Sequence, residues 1–312
     1  MKTICYAILW VVGTVVRCEG QSGTDTGYIA TYTQKFTVQA HLASYSIELE
    51  HDKKTYQPNV PMNPGLGISI QNTIISIGSD FGSIPLRDGR YGSTSVFDFQ
   101  SHTYERRFIL DLFFQRYKGF YYEDLTNKTV TLFPALYVLQ AGAELSYVFN
   151  GRKFSARAAF DQSELQLRSQ GSFVVGGGAY YYKLSLPKEL SDSNGLDAAK
   201  NFQMGVNVGY AYSWVINPRW LLSGMATIGM NVGNELESLK KGNLRDYPAA
   251  FSRISSSYHR SDWAIALTGL ISNKSLYTEQ DQNFSLSAIT FSLTFLKHFD
   301  RVFPKREAAT AR

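Results

Sequence analysis

The ten residues Gly205-Val-Asn-Val-Gly-Tyr-Ala-Tyr-Ser-Trp214 alternate without a break, small or polar at odd positions and apolar or aromatic at even ones. Period two is the periodicity of a strand, and about ten residues is the length a tilted strand needs to cross a bilayer. In a closed barrel Val206, Val208, Tyr210, Tyr212 and Trp214 would meet lipid, while Gly205, Asn207, Gly209, Ala211 and Ser213 would face the lumen. A half-buried strand of a soluble sandwich alternates in the same way, so the rest of the chain has to decide.

The N-terminus carries Lys2, an apolar run from Ile4 to Val16 and then Arg17-Cys18-Glu19-Gly20, which fits a signal peptide cut before Gln21. That run is too short for a transmembrane helix. No later segment approaches about 18 unbroken apolar residues, so membrane residence would have to be as a barrel. Arg17 stands where a lipoprotein signal ordinarily has a small residue, which argues against a lipid on Cys18. Both cysteines, Cys5 and Cys18, fall inside this leader, so the exported chain is expected to have neither disulfides nor thiol chemistry. Losing residues 1–20 removes Lys2, Arg17 and Glu19 and lowers the formal charge from +5 to +4. Basic residues are scattered along the sequence, which argues against a nucleic-acid partner. The 20 Tyr and 20 Phe suit aromatic girdles at two membrane interfaces, although a large soluble β core would use many as well.

Strand-like runs are expected near 36–50, 62–71, 73–81, 93–102, 106–121, 135–149, 153–162, 171–184, 203–216, 219–233, 249–259, 262–272 and 284–299. Between Pro187 and Lys200 there is room for one or two helical turns. Short connections at Gln71-Asn72, Asn150-Gly151, Asn217-Pro218 and Arg260-Ser261 carry turn chemistry, and Asn-Gly is the strongest two-residue hairpin signal. Longer, more polar connections run from His51 to Asn59, Gly82 to Gly92, Glu123 to Thr129 and Gly233 to Pro248. The division between short turns and long loops resembles the periplasmic and extracellular ends of outer-membrane barrels. Thirteen runs cannot close with both termini on one side, because that requires an even number. The surplus lies between 153 and 202 or in the pair 62–71 and 73–81, and 12 strands are favoured over 14.

Other runs repeat the alternation. Ala226, Ile228, Met230 and Val232 form an outward stripe against Ser223, Thr227 and Asn231, and Ile289, Phe291, Leu293 and Phe295 oppose Thr290, Ser292 and Thr294. Phe108, Leu110, Leu112 and Phe114 oppose Asp111, Phe113, Gln115 and Tyr117. Leu139, Ala141, Ala143, Leu145 and Tyr147 oppose Gln140, Glu144 and Ser146. Charge confined to one face is what lipid demands of the other.

Several stretches carry a resemblance: Tyr32-Thr-Gln-Lys-Phe-Thr37, Tyr56-Gln-Pro-Asn59 followed by Gly65-Leu-Gly-Ile-Ser69, and Asp111-Leu-Phe-Phe-Gln115-Arg-Tyr117-Lys-Gly119-Phe-Tyr121. Phe154-Ser-Ala-Arg157-Ala-Ala-Phe160-Asp-Gln162-Ser-Glu164, Ser169-Gln-Gly171-Ser-Phe173 and Gly209-Tyr-Ala-Tyr-Ser-Trp214 continue it. Together these resemble a family of outer-membrane β-barrels of Bacteroidota type, described as a domain of unknown function, from about residue 28 to Phe299. The resemblance implies a location and a fold and brings no reaction or ligand. One departure is that Phe299, in the place of the aromatic residue on which such barrels commonly end, is followed by the polar tail Asp300 to Arg312.

The expected organisation is a signal peptide over 1–20, a periplasmic lead-in over 21–34, a single antiparallel up-and-down transmembrane β-barrel over 35–299 and a basic tail over 300–312. The candidate lumen-lining residues are Asp98, Gln100, Asp111, Gln115, Glu144, Arg157 and Asp161, with Arg157 and Asp161 pointing inward from a strand. Opposed charges of this kind build a selectivity constriction, or else they hydrogen-bond across a narrow barrel and plug it. The plug is preferred.

No catalytic residue, cofactor or metal is assigned. The alternative is a lipid or peptide hydrolase or acyltransferase at the barrel rim, for which His51 with Asp52 has the best placement, while His102, His259 and His298 fall near the short-turn edge. No histidine lies in a nucleophile motif, so solvated or girdle roles are favoured. Gly176-Gly-Gly178 lacks the Lys-Ser/Thr and the helix of a phosphate cradle and reads as structural. The expected partners are outer-membrane lipid and the barrel-insertion machinery, with a small solute as a further candidate.

Overall fold

The computed structural model describes residues 23–32, 34, 36–70, 73–78, 84–190, 199–277 and 283–299. The expected leader, the tail after Phe299 and the Gln71-Asn72 turn lie outside them. No helix among the described residues is long and apolar enough to cross a membrane.

In chain order the strands are β1 (Ile29–Thr31), β2 (Phe36–His51), β3 (Lys54–Tyr56), β4 (Asn63–Ile70), β5 (Thr73–Gly78), β6 (Ser95–Tyr104), β7 (Phe108–Asp124) and β8 (Thr129–Val148). After a short helix α1 (Ala156–Phe160) come β9 (Glu164–Gln166), β10 (Gln170–Ser185), β11 (Ala199–Asn217) and β12 (Trp220–Glu235). A second short helix α2 (Leu236–Lys240) precedes β13 (Arg245–His259), β14 (Trp263–Tyr277) and β15 (Asn283–Phe299). Among the described residues twelve strands, β2, β4 to β8 and β10 to β15, pair antiparallel with their neighbours. Pairing of β15 with β2, from Ser285 opposite Glu50 to Phe299 opposite Phe36, closes the ring. Closure removes both sheet edges, the condition for burying a sheet in lipid.

The surplus run was 153–162. Ser155 caps a helix there, accepting a hydrogen bond from the Ala158 amide, and Ala156, Ala158, Ala159 and Phe160 are all buried. Three alanines within five residues favour a helix over a strand, and the side chains do not alternate in and out. Asn150-Gly151 is therefore no hairpin; it opens the segment 149–169, which folds into the barrel. The lead-in joins this segment, because β1 pairs with β9.

Apart from the 149–169 segment, connections at one end of the ring are two or three residues long, as at Pro218-Arg219 and residues 260–262. The opposite end carries the longer ones. Outward residues match the sequence expectation: Val206, Val208, Tyr210, Tyr212, Trp214, Ile228, Met230, Phe291 and Leu293 are exposed, whereas Ala211, Ser213, Ser223, Thr227 and Asn231 are buried. Near the short-turn end Trp220, Tyr258, Trp263 and Phe295 form a chain of ring contacts at 5.1, 5.8 and 6.0 Å across four adjacent strands. That is an aromatic girdle. Ile228 is 70% exposed on this outer face, and Ile228→Arg is expected to destabilise the barrel in vesicles by about 2–4 kcal/mol. Thr227→Ser, one residue away and facing inward, is expected to have little effect; the check is denaturant unfolding of both variants in the same vesicles.

The inner face departs from expectation in the long-loop half. It is an apolar core of Ile47, Leu49, Tyr56, Tyr117, Phe120, Phe133, Leu136, Tyr182, Phe284 and Leu286 rather than a polar wall. A bulge in β7 makes this possible. The register shifts between Lys118 and Phe120, and Gly119, at φ +93 with the Ser93 carbonyl 2.5 Å from where a Cβ would stand, supplies the extra residue. Phe120 and Tyr121 are thereby both buried. Gly178 serves close packing instead, as a Cβ there would meet the Tyr180 hydroxyl at 2.5 Å.

Candidate functional site

The short-turn end of the lumen is filled by the 149–169 segment. Glu164, 2% exposed, holds it. Its carboxylate accepts from Arg106 through both guanidinium nitrogens, one at 2.8 Å, from the Ser155 hydroxyl at 2.6 Å and from Arg157 at 3.4 Å. Arg157 also donates to Glu105 at 2.5 Å and to the Tyr104 carbonyl at 2.8 Å, which ties the segment to the β6–β7 turn. Across the lumen α1 packs against β12 and β13, and Gln162 reaches Ser255 at 3.4 Å. Tyr32, just after β1, stacks on His298 with centroids 3.8 Å apart and meets His259 Nδ1 at 3.2 Å, seating the lead-in on the barrel wall. Arg157 and Asp161 thus enter the lumen from a plug and not from a strand.

Asp161 caps the end of α1. Its Oδ1 accepts the Ser163 amide at 2.9 Å and hydroxyl at 2.6 Å, while its Oδ2 is buried with no partner in the protein. Burial pushes this carboxyl up to about 7. An unfolded aspartate titrates near 3.9, so between about pH 4 and 7 the folded plug keeps a proton that the unfolded chain has lost. Stability contributed here is full at low pH, falls as pH rises through that window and is flat above it. Asp161→Asn is expected to lose this slope, as read by protease nicking of the 149–169 segment across pH.

Above the plug lies a second tier. Arg253, 2% exposed, donates to Asp111 at 3.1 Å and to the Tyr104 hydroxyl at 2.5 Å, and its guanidinium lies 5.5 Å from the Phe160 ring of α1. His102 Nδ1 bonds Asp111 at 2.5 Å. A cavity of about 140 Å³ separates this group from the plug, lined by Gln39, His41, Tyr45, Gln100 and Asp161. One of about 50 Å³ lies on the other side, bordered by Gln115, Glu144 and Lys274. Arg253 and His102 border both.

The third tier meets the apolar core. Glu144 accepts from Tyr180 at 2.7 Å and from Asn207 at 2.8 Å, while Lys274 Nζ lies 3.4 Å from the centre of the Tyr180 ring. Asp98 accepts from Gln100 at 2.9 Å, Gln115 at 2.6 Å and Tyr117 at 2.7 Å, and Gln115 accepts from Gln140. The seven candidate residues therefore fall into four groups: Asp98, Gln100 and Gln115 together; Asp111 with Arg253 and His102; Glu144 with Tyr180 and Asn207; Arg157 and Asp161 in the plug. Sequence reasoning missed Arg253 and Lys274. The available signal was one cation among small inward residues, since Arg253 shares its face of β13 with Ser255 and Ser257. His51 and Asp52 stand at the long-loop end 3.4 Å apart, with the His51 ring stacked on Phe284 at 4.2 Å. Among the described residues no cluster of His, Cys, Asp and Glu has a metal-holding arrangement.

A closed twelve-stranded ring with an apolar exterior and a side-chain-filled lumen defines a β-barrel of the outer-membrane type. The chain belongs to the family described as Domain of unknown function (DUF4421), whose model matches residues 23–296. No curated protein sequence matches it. Among solved structures it is similar to the outer membrane protease OmpT from Escherichia coli, at 8% identity and TM-score 0.37, over 85% of this chain and 96% of that one. It is also similar to the toluene transporters TodX of P. putida (8% identity, TM-score 0.28, 85% and 90% covered) and TbuX of Ralstonia pickettii (9%, 0.30, 85% and 90%). Likenesses this remote reach the architecture alone.

Proposed function

We propose that this protein is an exported outer-membrane barrel, non-enzymatic, whose lumen is sealed at rest, with the short-turn end in the periplasm. The observation that carries the reading is the continuous filling of the lumen: the plug held by Glu164, the Arg253 group above it and the apolar core of the long-loop half. The cavities between them, about 140 and 50 Å³, are well below the roughly 300–1,000 Å³ of small-molecule sites. Both termini of the barrel, Phe36 and Phe299, lie at the short-turn end, which suits a chain delivered from the periplasm and inserted by the barrel-assembly machinery. Planar-bilayer recording of the purified protein is the test. Silence is expected, and a large steady conductance would overturn the sealed reading.

A further inference from the structure

Lys183 of β10 and Lys200 of β11 stand directly opposite each other on the outer face of the barrel. Lys183 is also opposite Leu139 of β8, which is opposite Arg116 of β7, and Lys118 follows two residues along, opposite Tyr137. Arg116 and Lys118 of β7, Lys183 of β10 and Lys200 of β11 thus gather within a span of four adjacent strands. Arg116, Lys118 and Lys200 are exposed, and Lys183 is half-buried with its Nζ 5.6 Å from the centre of the Tyr137 ring. Among the described residues no acidic side chain pairs with any of them. Like charges directly opposite on a sheet, with Cβ atoms about 5 Å apart, repel. A fold that keeps them together without counter-charges leaves room for an anion.

Their position selects the anion. The next outward row toward the short-turn end is Phe114, Ala141, Tyr181 and Phe202, paired across the same four strands, so Arg116, Lys183 and Lys200 sit one row beyond the apolar band and Lys118 two rows beyond it. The cations form two pairs, Arg116 with Lys118 and Lys183 with Lys200, separated by two strand spacings or about 10 Å. Hydroxyls of Tyr137 and Ser185 lie in the adjoining row. Exposed Asp246 on β13, two strands beyond Lys200, marks the edge of the patch.

We infer that this face docks an outer-leaflet glycolipid whose sugar head group carries two phosphates, one at each cation pair, with its acyl chains along the Phe114–Phe202 row. The inference rests on the outer-membrane reading above. Native mass spectrometry in detergent tests it, using bisphosphorylated lipid A, its monophosphoryl form and a fully dephosphorylated form as probes. Wild-type protein is expected to bind the bisphosphorylated lipid, the monophosphoryl form less and the dephosphorylated form least. The variant R116Q/K118Q/K183Q/K200Q is expected to bind at least about tenfold more weakly, the factor that roughly 1.4 kcal/mol represents. Equal binding by variant and wild type, or equal binding of the three lipids, would overturn the docking surface. If the fourfold variant does not fold, the K183Q/K200Q pair takes its place with the same expected direction. Failure of wild-type protein to give a heat-modifiable folded band in phosphatidylcholine vesicles would instead overturn the outer-membrane reading, and so keeps the two failures distinct.

Discussion

Glu164→Ala is expected to turn a silent barrel into a conducting one. The carboxylate sits 2% exposed between Arg106 and Arg157, with Ser155 as a third donor, so its removal strands the Arg106 guanidinium at the base of the lumen, while Arg157 keeps Glu105. Breaking a buried pair from one side costs about 3–5 kcal/mol, because the stranded charge has lost both water and its partner. The barrel wall loses none of its ladder hydrogen bonds, so the cost falls on the plug. Two measurements check this. Bilayer recordings should show steady or flickering current absent from wild type, and protease added on the short-turn side should nick residues 149–169. Glu164→Gln keeps an acceptor for Ser155 and one arginine but loses the charge, and it should fall between the two. A Glu164→Ala protein as silent and as resistant as wild type would mean that shape alone retains the plug.

Arg253→Met is expected to be the most destabilising single change in the barrel wall. Arg253 is fully enclosed, and Asp111, its ionic partner, is also held by His102. Truncation strands the Asp111 carboxylate inside the lumen and removes a guanidinium that lies within 5.5 Å of the rings of Tyr104, Phe160 and Phe251. A loss of about 3–5 kcal/mol follows from the uncompensated charge. Because the penalty lies in the orphaned partner, Arg253→Met combined with Asp111→Leu should recover most of it, for replacing both members of a buried pair by apolar groups is often neutral. The temperature at which the folded, faster-migrating gel band disappears is measured for wild type, Arg253→Met, Asp111→Leu and the double variant. A double variant as weak as the sum of the two single variants would point to the ring contacts of Arg253, rather than its charge, as the stabilising element.

Different levels of this molecule were legible to different degrees. Alternation at Gly205–Trp214 and Ala226–Val232 marked the lipid face correctly, because a hydrocarbon exterior admits few residue types and imposes a strict period of two. The lumen imposes no such rule. A polar inward residue is solvated, paired or packed according to which strands face it across the ring. Glu144 was legible as an inward acid, but its bonds to Tyr180 and Asn207 come from two other strands. The segment 153–162 shows the same limit locally. Arg157, Asp161 and Ser163 at alternate positions imitate a strand, while the helical signals, the Ser155 cap and the alanines that follow, occupy only about one turn.

The sequence by itself determined that the chain is a barrel for a membrane, since only lipid on the outside explains apolar stripes on so many strands joined by alternately short and long connections. It also limited the strand number, because termini on the same side require an even count. Only the tertiary structure decided what the barrel contains and what its outer surface gathers. Closing β15 onto β2 brings Arg253 of β13 to Asp111 of β7, folds residues 149–169 inside instead of beside the wall, and aligns Arg116, Lys183 and Lys200 in one row. Those juxtapositions follow from strand register around a closed ring, and register is a property of the whole sheet that no single stretch of sequence carries.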